Sequence, residues 1–125
     1  MTRLLLVLLG GALGAGCRYG VSLLVASLIG VRQFPVATFL INVSGSFLIG
    51  VLAEWFDARA NASPDLRAAI LVGLLGGYTT FSSFSLETFN LLRDGAWAKA
   101  LLYPVASLTL GLLAVWCGVQ LARWM

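Results

Sequence analysis

The sequence predicts an all-α integral membrane fold: four transmembrane helices, the third broken near its middle, in an antiparallel dual-topology homodimer. Three observations carry the four-helix membrane part of this reading. Of the 125 residues, 60% are hydrophobic and 10% charged, whereas soluble domains are about 45 to 50% apolar and about 25% charged, so the solvent for most of this surface is lipid. Four runs of the roughly 20 apolar residues that a bilayer crossing needs cover residues 4–29, 36–56, 66–92 and 97–124. The breaks between them, Gly30 to Pro35, Asp57 to Asp65 (containing Asn61-Ala62-Ser63-Pro64) and Arg93 to Ala96, are short and hold six of the 13 charged residues. No soluble domain fits between such helices, and the chain reads as one four-helix domain.

The first run has a rival reading. Met1-Thr2-Arg3, Leu4 to Leu9, then Gly14-Ala15-Gly16-Cys17 look like a secretory or lipoprotein leader with a small-residue cleavage site. The apolar run resumes after Arg18 and three more spans follow, so the segment is read as a retained helix. Its glycines, Gly10, Gly14, Gly16 and Gly20, include two pairs spaced by four, which lets another backbone approach closely. Arg18, deep in this run, either snorkels toward an interface or draws anions into a vestibule.

The second run presents Thr38, Asn42 and, further round, Ser46. The third contains Gly76 to Ser85, GGYTTFSSFS, where a membrane span should be most apolar. Paired glycines are poor helix residues and the hydroxyls compete for backbone groups, so the helix loosens around residues 76–80. Non-helical backbone at membrane depth is tolerated where it is buried in protein or lines a polar cavity. Either the glycines form a kink that only packs, or the freed carbonyls of Gly76 and Thr79, doubled across a dimer axis, offer four oxygens to a hard monovalent cation. Beyond the break, helical spacing gathers Thr80, Ser83, Phe84 and Glu87 on one arc, with Phe81, Ser85 and Thr88 beside it. The fourth run adds Tyr103, Ser107 and Thr109. Trp55, Trp97, Trp124 and Tyr103 fall at or near run ends, as interfacial anchors do.

A lone membrane hydroxyl is ordinarily interhelical glue. Here three helices contribute, and a buried Asn and a buried Glu mark a functional path. Glu87 aside, the lining is neutral: hydroxyl and amide donors with phenyl rings whose positive edges face an anion. That lining favours a small hydrated anion. There is no histidine, and Cys17 and Cys117 lie inside apolar runs without metal-ligand spacing, as packing residues do. With no nucleophile beside a base, an intramembrane enzyme is disfavoured. The net charge of +3 is spread as single residues, which argues against a nucleic-acid partner.

With four spans, Arg3, Arg59, Arg67 and Arg123 share one side and Arg32, Arg93 and Lys99 the other. Four against three is almost no positive-inside bias. Two oppositely inserted copies then pair about an axis in the membrane plane, like the inverted repeats of transporters but on separate chains; the competing reading is one fixed orientation with weakly biased loops.

Gly76 to Ser85 with Glu87 closely resembles the GG-x-TTFS-[ST]-F signature of the Fluc (CrcB) fluoride channels, and Asn42 and Arg18 match as well, over a four-span layout covering essentially the whole chain. The resemblance implies a dual-topology dimer in the bacterial inner membrane, with two antiparallel pores that passively export fluoride and a central structural sodium ion. On matching positions, Phe81 and Phe84 look like the pore phenylalanines, Asn42 the amide donor beside them, and Gly76 and Thr79 the sodium-binding carbonyls. Thr38, Ser83, Glu87, Tyr103 and Ser107 are similar in position to the pore's polar track and gating residues. Tyr78 occupies a place that varies in the family, and Pro104, next to Tyr103, bears on the aim of helix four. A small multidrug-type proton-coupled transporter would share the size and dual topology, but it needs a carboxylate in its first helix, where this chain has Arg18. A purely structural membrane protein would pass no ion.

Overall fold

The computed structural model describes residues 1–30, 32–59 and 62–125; Val31, Ala60 and Asn61, all in the predicted breaks, lie outside it. Among the described residues the chain is wholly helical apart from its connections: α1 (Thr2–Ile29), α2 (Val36–Asp57), α3 (Pro64–Ala68), a π-helical stretch (Ala69–Leu74), α4 (Leu75–Tyr78), α5 (Phe81–Arg93) and α6 (Trp97–Arg123). Four stretches are long and apolar enough to cross a membrane: Thr2–Ile29, Val36–Asp57, Pro64–Arg93 and Trp97–Arg123. This is a multi-pass membrane protein.

The helix ends differ from the apolar runs by at most two residues, since hydropathy does not set where helical hydrogen bonding starts and stops. Ser63 caps α3, its Oγ accepting from the Leu66 N–H at 3.4 Å. Pro64 follows at the first helical position and Asp65 lies in the first turn, where its charge meets the helix N-terminus. Glycines at φ 70° (Gly30) and φ 74° (Gly95) close α1 and the α5–α6 turn, a conformation that residues with a Cβ adopt only with strain.

Packing divides the helices into two glycine-mediated pairs. Along α1, a Cβ at Gly10 or Gly14 would collide with the backbone of Ala69 or Leu74, and one at Gly73 would lie 2.6 Å from the Val7 carbonyl. Along α2 and α6, a Cβ at Gly50 would strike the Val115 carbonyl and one at Gly118 the Phe47 carbonyl. Without water to drive helices together, such close backbone contact is what holds a membrane bundle. Of the two glycine pairs expected on α1, Gly10 and Gly14 make this contact, while Gly16 and Gly20 face open space. α5 leans on α6, around Leu91, Ala100 and a fully buried Tyr103. Tyr103 is therefore not an interfacial anchor: its ring sits inside the protein, while Trp97 and Trp124 are 70% and 88% exposed.

The packing predicts that Gly14→Leu lowers stability in detergent by about 3 kcal/mol, the range of an overpacked core, because its Cβ meets backbone that cannot rotate away. Gly16→Ala is expected to be neutral or slightly stabilising, since a helix gains about 1 kcal/mol from that change. Thermal unfolding of both variants beside the parent checks the pair, and equal effects would refute the assignment of Gly14 to the contact.

Candidate functional site

The site is organised by Asn42. On the third crossing the last helical bond runs from the Thr79 N–H to the Leu75 carbonyl, and the backbone then leaves the helix: Thr79 has φ −79° and ψ 162°, and Thr80 has φ −152° and ψ 118°. Two extended residues inside a bilayer need partners for their backbone groups. The Thr80 N–H, which a continuing helix would give to the Gly76 carbonyl, goes instead to Asn42 Oδ1 at 2.9 Å. Asn42 Nδ2 returns a bond to the Thr80 carbonyl at 3.1 Å. One side-chain amide thus pairs with Thr80 at two points, as a neighbouring β-strand would. Because Asn42 Oδ1 is spent as an acceptor and one Nδ2 hydrogen as a donor, a single N–H remains for anything else.

Thr80 then starts the next helix. Its Oγ1 accepts from the Ser83 N–H at 3.3 Å, an N-cap bond that offsets one orphan amide, and donates to Ser83 Oγ at 3.0 Å. The arc expected from spacing therefore begins with a capping residue that is 8% exposed.

One helical turn on, three helices meet. Thr38 Oγ1 donates to Glu87 Oε1 at 2.7 Å and the Tyr103 hydroxyl donates to Glu87 Oε2 at 2.8 Å. Both oxygens of a carboxylate at membrane depth are so satisfied, the condition for keeping it there. Pro104 lies within α6, which stays continuous from Trp97 to Arg123, and the preceding residue, Tyr103, still reaches Glu87. Ser107, one turn further, has a buried Oγ with no hydrogen-bond partner among the described residues.

The rings form a chain. Phe81 and Phe84 have centroids 5.7 Å apart, Phe84 and Tyr103 5.0 Å, Tyr103 and Phe34 5.4 Å, and Phe34 and Phe39 6.1 Å. Phe81 is 80% exposed in the single chain. Phe34 and Phe39 escaped the sequence reading: Phe34 sits in a break, outside any helical period, and Phe39 lies one residue round from the Thr38 and Asn42 face. The signal available was the aromatic directly before Pro35.

A cleft of about 410 Å³ opens beside the break, lined among others by Asn42, Thr80, Phe81, Phe84 and Ser107. Its lining holds no charged residue. Ser46, Gly76 and Thr79 also border it, so residues from α2, both halves of the third crossing and α6 share one space. Ser85 and Thr88 stand apart, returning their hydroxyls to their own helix at Phe81 and Phe84. Thr109 is exposed on the outer face of α6.

Arg18 lies one turn past Gly14 on the α1 face that packs on the third crossing. Its Nη1 donates to the Thr79 carbonyl at 3.4 Å. The guanidinium thus turns inward to the break rather than along the helix to an interface. Tyr78 donates to or accepts from Ser44 Oγ at 2.9 Å, a contact between α4 and α2 that sequence spacing did not suggest.

The profile of the family described as "CrcB-like protein, Camphor Resistance (CrcB)" matches residues 5–119. A protein of Methylobacterium sp. (strain 4-46) named "Fluoride-specific ion channel FluC" is 49% identical over 92% of this chain and 91% of its own length. Proteins of the same name from Rhizobium meliloti (strain 1021) and Chloroflexus aurantiacus (strain J-10-fl) are 48% identical over 100% and 99% of the two chains, and 44% identical over 99% and 98%. With a family profile covering nearly its full length and relatives of this similarity, the chain belongs to the CrcB-like protein family.

Proposed function

We propose that this chain forms a fluoride channel, in which two copies inserted in opposite orientations enclose two antiparallel pores for passive export of the ion. The name shared by its relatives supports the ion, and the Asn42–Thr80 pairing carries the reading. By diverting the Thr80 backbone from the helix, Asn42 aims Phe81 and Phe84 into an uncharged cleft and leaves one amide N–H beside them. Ser107 Oγ, without a partner among the described residues, adds a hydroxyl donor. Such a lining offers a dehydrated anion several weak positive groups and no fixed charge to trap it, which suits transit better than holding. A neutral ring cannot titrate, so passage needs no coupled proton.

A sodium ion at the break is part of the same proposal. The donor set fits it: the Gly76 carbonyl has lost its helical N–H partner to Asn42 Oδ1, and the Thr79 carbonyl, on extended backbone, accepts one long bond from Arg18. Hard monovalent cations take such oxygens, and two copies would supply four. A bound sodium would satisfy carbonyls that lipid cannot. Among the described residues no group of three or more His, Cys, Asp or Glu side chains could hold a metal, so the backbone would carry the site.

In proteoliposomes Phe81→Ile and Phe84→Ile are expected to lower fluoride flux tenfold or more, equivalent to about 1.4 kcal/mol or more in the barrier, with the protein still eluting as the parent assembly. Asn42→Asp should abolish flux, since it puts a carboxylate oxygen against the Thr80 carbonyl. Parent-like flux in both isoleucine variants would make the rings packing residues. For topology, a single cysteine at Ala98, in a Cys17→Ala, Cys117→Ala background, should be modified in about half of the chains from either membrane face; modification from one face alone would rule out opposed insertion. Exchanging sodium for a large organic cation during purification should weaken the dimer, because an ion bound only by the assembled state stabilises it. Indifference to sodium would leave the break as a packing feature.

A further inference from the structure

A second cleft, of about 400 Å³, opens at the end of the protein formed by the α1–α2 and α5–α6 connections, lined by Gln33, Asp94, Trp97 and Lys99 together with Gly95 and Ala96. Two observations tie it to the uncharged cleft. Ala96 in its lining packs on the cluster of Leu91, Ala100 and Tyr103, and Phe84, which lines the uncharged cleft, packs on that same cluster. The Tyr103 hydroxyl within the cluster bonds Glu87. Both clefts thus border one cluster, whose centre is a ring layer: Tyr103 with Phe34 and Phe84 against it.

The charges differ between the two ends of the molecule. At the opposite end, Arg3 is paired with Asp65 at 2.7 Å, Arg123 with Glu54 at 2.8 Å, and Arg67 with Asp57, while Arg59 lies over the Trp55 ring at 3.9 Å. At the cleft end, Arg32 donates to the Ile29 carbonyl, and Arg93 reaches Asp94 at 3.8 Å. Asp94 is the only carboxylate in either connection at this end. Lys99 donates to the amide oxygen of Gln33 and, among the described residues, has no carboxylate partner. A neutral amide fixes the position of the ammonium without cancelling its charge.

We infer that this cleft is the outer antechamber of the anion path and that Lys99 is its capture residue, raising the local concentration of a small hydrated anion before it meets the Tyr103–Phe34 layer. The inference rests on the channel reading. Asp94 lines the same cleft but lies against Arg93, so the Lys99 ammonium is the cleft charge without an opposite partner among the described residues; at a cleft with low-dielectric walls it acts over a Debye length, about 30 Å at 10 mM salt and about 3 Å at 1 M. Capture therefore has a signature that a packing role lacks: dependence on ionic strength.

The test is fluoride efflux from proteoliposomes at low fluoride, where arrival of the ion limits flux, with an impermeant salt varied from about 10 mM to about 1 M. At low salt, Lys99→Gln is expected to reduce flux about threefold and Lys99→Glu about tenfold, with both converging on the parent at high salt. Lys99→Arg should match the parent throughout, and Arg3→Gln, at the opposite end and already paired, should do so too. A Lys99→Gln flux equal to the parent at 10 mM, a deficit that persists unchanged at 1 M, or an equal deficit in Arg3→Gln would each overturn the assignment. Absence of fluoride flux in the parent would instead remove the channel reading itself.

Discussion

The structure turns on a backbone that must leave the helix inside a bilayer. Each unsatisfied peptide group there costs several kcal/mol, so two extended residues at Thr79 and Thr80 persist only if something replaces the lost ladder. Asn42 replaces it with two bonds to Thr80 from one side chain. Thr79 keeps its own N–H on Leu75 and adds its hydroxyl to the same carbonyl, while Arg18 reaches its carbonyl from α1. Partners from two other helices thus hold the two extended residues, and the direction in which Phe81 and Phe84 project follows from it.

The glycine contacts are the second constraint, and they serve the first. Arg18 reaches Thr79 because Gly10 and Gly14, on the same α1 face, bring that helix against Ala69 and Leu74. Asn42 stands opposite Thr80 because α2 is held by α6 through Gly50 and Gly118 further along. In between, the π-helical stretch from Ala69 to Leu74 alters the angular phase of the third crossing before the break, as such insertions do near functional segments. Gly73 within this stretch and Gly77 just beyond it both meet α1 backbone, so its altered turn is compatible with an unbroken contact.

Polarity within the bundle runs in a line rather than a patch. From the cleft beside Asn42 it passes to the Glu87 carboxylate held by Thr38 and Tyr103, and from there to a connection end where three cations face one carboxylate. At the other end, ion pairs join α1 to the third crossing, the third crossing to the end of α2, and α2 to α6. Exposed pairs of this kind contribute little stability individually. They leave one side-chain cation in surplus at that end, Arg59 over the Trp55 ring, against two at the end that carries Lys99.

The four helices were legible in the amino-acid sequence because lipid imposes length and apolarity on each span independently of its neighbours. The polar residues at 38, 42, 80, 83, 87 and 103 were legible too, since such groups in an apolar run need partners. Their partners were not. That Asn42 would spend both ends of its amide on Thr80, that Tyr103 would be buried on Glu87 rather than anchored at an interface, and that Phe34 would join the rings from outside a helix depend on which helix faces which. That pairing is decided by backbone contact at Gly10, Gly14, Gly50 and Gly118, and it separates them from Gly16 and Gly20, which look equivalent in sequence. Composition and periodicity are properties of one segment and a sequence states them directly; contact geometry is a property of two segments together, and only the tertiary structure decides it.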